Sequence, residues 1–302
     1  MNNLQVQIAT TANEESNPLR DVRLSFVGCG VMAEAMVSGL LRRRLVDSAR
    51  ITASHPRANR RAELKMKYGI HVVESNRDAA IAPADGGDDV NDTPARSMIV
   101  VIGVKPQRLG VVLGELKGAL TPAHLVLSIV AGARIETITG ELLHPAVVRA
   151  MPNTPAQVGQ GMTVWTTTPE VSDQQCAEVA ALLGALGKEL RVDEEKMIDM
   201  ATALSATGPT YIFMMMEALV DAGVHMGFSR QVAQELVLQT MLGSVLFAQE
   251  SRKHPAELRN MVTSPGGTSA EAIYQMEKGS LRTVFSKAVW AAYQRALALG
   301  RK

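Results

Sequence analysis

The chain has 302 residues, 46% of them apolar, and a formal net charge of +1. That length exceeds what one core usually covers, so a soluble protein of two domains is expected. Aromatic residues make up only 4% and the cations are scattered, which argues against nucleic acid; Cys29 and Cys176 are too few for a disulfide framework and fit a reducing cytoplasm.

Residues 1–21 are polar and mixed in charge, without the apolar centre of a secretion signal or the arginine-rich make-up of a transit peptide. They read as a loose extension. Arg23-Leu24-Ser25-Phe26-Val27 reads as a buried strand, followed at once by Gly28-Cys29-Gly30-Val31-Met32-Ala33 and a helical run over 34–41. This is the strand, turn and helix of a dinucleotide-binding fold: Gly28 permits a tight turn, Gly30 lets a pyrophosphate approach the backbone, and Ala33 lets helix pack closely on strand. The plainer alternative is an ordinary glycine-rich turn.

The second strand ends in Ser54-His55-Pro56-Arg57, with Arg60 and Arg61 close behind. NAD-preferring folds carry an acid here. A hydroxyl, an imidazole and an arginine instead offer donors and charge to a 2′-phosphate, which favours NADP over NAD. Otherwise these arginines only solvate a helix start. Further strands are expected at 71–73, 98–104, 125–129, 147–149 and 162–165, alternating with helices as in a doubly wound sheet. Between the third and fourth, residues 82–95 are acidic and rich in breakers, a mobile surface loop by composition.

Past Pro169 the pattern turns helical, beginning with a cap at Ser172, and no further strands are expected. The domain boundary therefore falls between 170 and 171: an N-terminal Rossmann-type dinucleotide-binding domain over 22–170, then an all-helical domain over 171–302. Residues 231–249 are apolar on more than one face, through Val232, Leu236, Leu238, Met241, Leu242, Val245 and Phe247. Such a helix is buried in a larger core or against another subunit, and a homodimer is expected. No apolar run is long enough to span a bilayer.

The run Thr263-Ser264-Pro265-Gly266-Gly267-Thr268-Ser269 is a hydroxyl-rich turn opening into a helix. Glycines let the backbone approach a ligand and the helix start leaves N–H groups free, so the turn suits a single carboxylate. The six histidines form no ligand spacing, so no metal is expected, and Met214-Met215-Met216 reads as gap-filling core.

Together these segments resemble one family, the pyrroline-5-carboxylate reductases, over residues 24–299. The likeness rests on Gly28-Cys29-Gly30-Val31-Met32-Ala33-Glu34-Ala35, Val104-Lys105-Pro106-Gln107, Val148-Arg149-Ala150-Met151-Pro152-Asn153-Thr154-Pro155, Gly208-Pro209-Thr210-Tyr211, Glu217-Ala218-Leu219-Val220-Asp221-Ala222-Gly223, and His254-Pro255-Ala256 through Thr263-Ser264-Pro265-Gly266-Gly267-Thr268. The resemblance implies NADPH-dependent reduction of 1-pyrroline-5-carboxylate to L-proline, the last step of proline biosynthesis, with NADH as an alternative donor. It implies a cofactor site lined by Val27, Gly28, Cys29, Gly30, Val31, Met32, His55, Arg57, Asn76, Gly103, Val104, Lys105 and Pro106. The substrate falls to Ser264, Gly266, Gly267, Thr268 and Ser269, with a hydroxyl of Thr268 or Ser269 as the catalytic contact to the ring nitrogen. Interleaved helices imply a homodimer or a ring of dimers.

The chain departs from the family at Ser205-Ala206-Thr207, where Ser-Gly-Ser is common, and at Ser269, where threonine is usual. Two rivals stay open on sequence alone. One is a β-hydroxyacid dehydrogenase on the same plan, although residues 200–226 hold no lysine to serve it. The other is a protein that binds NADP without turnover.

Overall fold

The computed structural model describes residues 17–81 and 97–300. Residues 1–16 of the expected extension and the acidic segment 82–95 lie outside them. Two compact units form, one from the chain up to Thr202 together with the residues from Ala296 onward, the other from Ala203–Arg295.

The first unit is built on eight strands: β1 (Val22–Val27), β2 (Ile51–Ser54), β3 (His71–Val73), β4 (Ser97–Ile102), β5 (His124–Ser128), β6 (Val147–Met151), β7 (Gly161–Thr167) and β8 (Gly187–Arg191). Their order is β3-β2-β1-β4-β5-β6-β7-β8, and every pairing is parallel except β6 with β7. Among the described residues seven α-helices lie wholly in this unit: α1 (Val31–Arg42), α2 (Ala58–Tyr68), α3 (Asn76–Ile81), α4 (Leu109–Leu116), α5 (Ile135–Leu142), α6 (Asp173–Gly184) and α7 (Lys196–Ala201).

The central strands are largely apolar because both faces are covered. Period-two alternation sorts them. Leu24, Phe26, Ile99, Val101, Leu125 and Leu127 share a core with Met36, Val37 and Leu40 of α1 and Val179, Leu182 and Leu183 of α6. Val100, Ile102, Val126 and Val147 point the other way, against Leu109, Val112, Leu113 and Leu116 of α4 and Ile138 and Leu142 of α5.

Two expectations change here. First, β8 is a strand where none was expected: its Lys188, Glu189 and Arg191 make it read as polar, yet it is the edge of the sheet, where charged side chains discourage further pairing. The Glu189 carboxylate accepts from Trp165 Nε1, and the Arg191 guanidinium lies 5.4 Å from that ring. Second, the sheet unit continues to Thr202 and not to 170. The residues of α6 that look merely helical are core to the sheet. Beyond it, Arg149 in the middle of β6, 2% exposed, donates to Asp199 Oδ1 at 2.6 Å and Glu195 Oε1 at 2.8 Å, which ties α7 down. The same Glu195 oxygen accepts the Ile135 N–H at 2.8 Å, supplying α5 with a cap from a distant segment. Ser172 does cap α6, in a reciprocal box with Gln175.

The second unit is helical: α8 (Gly208–His225), α9 (Arg230–Ser251), α10 (Pro255–Met261), α11 (Thr268–Lys278) and α12 (Leu281–Leu299), the last ending in residues of the first unit. A π-helical segment, Thr202–Ala206, precedes α8, and the Tyr211 hydroxyl donates to the Ala203 carbonyl at 2.9 Å. Pro209 lies in the first turn of α8, where its missing N–H costs nothing. Ser229 caps α9 through the Val232 N–H. Among the described residues the buried apolar side chains here are few, Val220 and Ala233 among them, whereas Leu242 and Val245 are 54% and 57% exposed. No helix among the described residues is long and apolar enough to cross a membrane.

Candidate active site

In the first unit the chain reverses direction of growth at β1: β2 lies on one side and β4 on the other. The crevice beyond the carboxyl ends of strands at such a switch is where open α/β sheets take ligands. Val27, the last residue of β1 and fully buried, delivers the chain into the glycine turn. Gly28 takes φ +83°, and a Cβ there would sit 2.4 Å from Val104 Cγ1, so both conformation and space require glycine. Gly30 is the N-cap of α1 and has no side-chain cap; a Cβ on it would meet nothing within 4 Å. The turn is thus packed on its inner side and open on its outer side, where the N–H groups of Val31 and Met32 begin the helix. This fits the phosphates of a dinucleotide.

The neighbouring residues arrive from adjacent strand ends. Gly103, just past β4, donates its N–H to the Val27 carbonyl at 2.9 Å, and a Cβ there would lie 3.1 Å from the Gly28 oxygen. Val104 packs behind Gly28, while Lys105 and Pro106 are exposed. Cys29 is fully buried with its thiol pushed up to about 12, by burial first and then by Glu34, so it stays a neutral core residue.

The end of β2 sorts its polar groups sharply. Arg60 pairs with Glu34 and, at 2.6 Å, with Glu63; Arg61 pairs with Glu74 at 2.8 Å and donates to the carbonyls of His55 and Pro56. Burial opposes ionisation of Glu34, yet Lys67, Tyr68 and Arg60 outweigh it and hold that carboxyl below its ordinary value. Arg57 stands apart: it is exposed and precedes α2 as its N-cap. His55 Nδ1 accepts the Arg57 N–H at 3.2 Å, which leaves the neutral ring's proton on Nε2. Burial, then the charge of Arg57, lowers the His55 pKa from its ordinary value.

Ser54 departs from expectation. Its hydroxyl is not available to a phosphate: it accepts the Gly28 N–H at 2.9 Å and donates to Asn76 Oδ1 at 2.7 Å, and the residue is fully buried. Asn76 Nδ2 in turn donates to Glu115 Oε2 at 2.7 Å. Sequence reasoning missed this role and that of Glu115. The one signal was a hydroxyl closing a short strand that reads as buried.

In the second unit, the turn at 264–269 feeds α11 directly. Gly267 is the N-cap, without a side-chain cap, and Thr268 and Ser269 are the first two helical residues. Gly266, at φ +69°, carries the left-handed conformation and has open space around it. Gly267 has an ordinary φ of −82°; a Cβ on it would meet Ser264 Oγ at 2.4 Å. The Gly267 N–H is spent inside the turn on the Ser264 carbonyl at 3.0 Å, which corrects the expectation that it is offered to a ligand. Among the described residues the amides of Gly266, Thr268 and Ser269 have no backbone acceptor at this helix start.

A doubly wound sheet with an open glycine turn, joined to a helical unit, defines a dinucleotide-dependent oxidoreductase. A family model described as pyrroline-5-carboxylate reductase dimerisation matches residues 195–299, and one described as NADP oxidoreductase, coenzyme F420-dependent, matches residues 23–86. The pyrroline-5-carboxylate reductase of Pseudomonas aeruginosa is 40% identical over 281 residues, 93% of this chain and 97% of that protein. That of Synechocystis is 37% identical, over 93% and 99%. Among solved structures, the enzyme of Coxiella burnetii superposes with a TM-score of 0.81 at 35% identity, over 93% of this chain and 99% of that one. The Plasmodium falciparum enzyme, solved with NADP bound, gives 0.80 at 30% identity over the same shares. The chain belongs to the pyrroline-5-carboxylate reductase family of oxidoreductases.

Proposed function

We propose that this protein reduces 1-pyrroline-5-carboxylate to L-proline with NADPH, the last step of proline biosynthesis, as a cytoplasmic homodimer or ring of dimers. Family membership supports the substrate. The observation that carries the cofactor is at the end of β2, where no acid stands and Arg57 is left exposed while Arg60 and Arg61 are committed to carboxylates and carbonyls. Arg57 and the Nε2 side of His55 would hold a 2′-phosphate, with Asn76 and the exposed Lys105 beside the ribose and phosphates. NADH, lacking that phosphate, is the weaker donor.

When bound, NADPH supplies the hydride. A protonated cyclic imine already accepts hydride at C5 and becomes a secondary amine, so no general acid is essential and the chain's share is positioning and electrostatics. The amides of Gly266, Thr268 and Ser269 would hold the carboxylate at the start of α11, where the helix dipole favours an anion. A hydroxyl of Thr268 or Ser269 would accept from the ring N–H and orient the C5 face.

The test is oxidation of NADPH by the purified chain in the presence of pyrroline-5-carboxylate, with L-proline identified as product. Turnover on 3-hydroxy acids with none on pyrroline-5-carboxylate would favour the β-hydroxyacid dehydrogenase reading. Binding of NADPH with no turnover on either would favour a sensing role.

A further inference from the structure

The Ser54 side chain holds two other elements of the glycine-turn region at once. It ends β2, is fully buried, and sits where its single hydroxyl must serve as acceptor to Gly28 and donor to Asn76. Its own carbonyl accepts the Cys29 N–H at 2.9 Å, so the residue clamps two consecutive amides of the turn. The two groups it sets come from different places in the chain: Gly28 follows β1, and Asn76 opens α3 after β3. A hydroxyl has one proton to give, and here it goes to Asn76, which fixes the lone pair offered to Gly28. Chains of this kind act together, because each bond orients the next.

We propose that Ser54 is a positioning residue for the dinucleotide, and that it sets the glycine turn and the Asn76 amide as one unit. This rests on the reading that the Gly28 turn holds a dinucleotide. Through Asn76 Oδ1 the hydroxyl also decides which end of that side chain faces outward, since Nδ2 is then turned to Glu115. Loss of the hydroxyl leaves the Gly28 N–H and the Asn76 oxygen without their partner, and both the turn and the amide relax together. Ser54 never touches the cofactor.

The experiment measures NADPH dissociation constants by fluorescence titration for the full chain and for Ser54→Ala, Asn76→Ala and the double variant, with kcat recorded for each. Ser54→Ala is expected to weaken NADPH by about tenfold, the worth of one hydrogen bond, with kcat at saturating NADPH within about twofold of the parent. The double variant is expected to bind no more than about twofold more weakly than Asn76→Ala, because coupled groups do not add. Losses that multiply, or a Ser54→Ala chain that binds NADPH like the parent, would overturn the proposal. Amide hydrogen exchange keeps it testable even where Ser54→Ala does not fold: in Asn76→Ala the Gly28 amide is expected to exchange faster than in the parent, and equal exchange would refute the coupling. A parent chain that binds neither NADPH nor NADH would instead sink the functional reading itself.

Discussion

The two units of this chain stand in contrast. The sheet unit closes its own core on both faces, from Phe26 and Val101 against α1 and α6 to Val126 and Val147 against α4 and α5. In the helical unit, Leu236, Leu242, Val245 and Phe247 of α9 stay about half exposed. Exposed apolar side chains gathered on one helix are the mark of an association surface, and residues 195–299, which include α9, match a family model described as pyrroline-5-carboxylate reductase dimerisation. One unit is a fold by itself. The other is a fold in company.

The largest effect should come from breaking that company. Leu242→Glu places a charge on an apolar surface that association would bury, so light scattering at micromolar concentration should show loss of the oligomer and activity should fall by about a hundredfold or more, since a buried unpaired charge costs several kcal/mol. An unchanged oligomer with full activity would mean that the α9 face is not an interface. The counterpart in the self-sufficient unit is Gly28→Ala, whose Cβ collides with Val104 and whose φ is disfavoured. NADPH affinity should drop by about 1–3 kcal/mol from strain alone while the oligomer survives. Retained affinity would sever the turn from the cofactor.

Next in size is Arg57→Ala. Losing a charged hydrogen bond to the 2′-phosphate should cost about 1.5–3 kcal/mol in kcat/KM for NADPH, chiefly through KM, and leave NADH nearly untouched. An equal loss with NADH would make Arg57 structural.

The smallest effect is a pH dependence confined to the sheet unit. His124 is buried, its Nδ1 accepts the Thr121 N–H at 3.0 Å, and its carbonyl accepts from His144 Nε2 at 2.8 Å. Burial foremost lowers its pKa from the ordinary value. The unfolded chain therefore binds the proton more readily than the folded one. Stability from this residue is complete above about pH 6.5 and declines as pH falls through the lowered folded value. Thermal midpoints recorded across that range should fall on the acid side, and His124→Gln should flatten the decline; an identical slope in the variant would assign the effect elsewhere.

What the sequence shows of each unit follows from the same contrast. Strands buried on both faces announce themselves as apolar runs, and the expected strands at 24–27, 51–53, 71–73, 98–104, 125–129, 147–149 and 162–165 each overlap an observed one. The two edge strands differ: β3 is legible through Val72 and Val73, whereas β8 carries Lys188, Glu189 and Arg191 and reads as polar. The unit boundary was misplaced for a related reason, since α6 shows only helical periodicity and nothing local reveals that Val179 and Leu182 face a sheet. In the site, glycines are legible because backbone geometry dictates them. Polar assignments are less so. Whether Ser54 faces a ligand or a neighbouring amide, and whether Gly267 offers its N–H or spends it on Ser264, depends on contacts made by residues distant in sequence or on the way one turn closes.

If the account is right, the two units carry separable tasks, with dinucleotide binding housed at the Gly28 turn and carboxylate binding at the Gly266–Ser269 turn. Gly267→Val tests this most directly, because its side chain must displace Ser264 without strain at any positive φ. Titrate NADPH by fluorescence and follow reduction of pyrroline-5-carboxylate with the same preparation. The account predicts unchanged NADPH affinity with turnover sharply reduced. Normal turnover, or a loss of NADPH affinity as large as the loss of turnover, would contradict it.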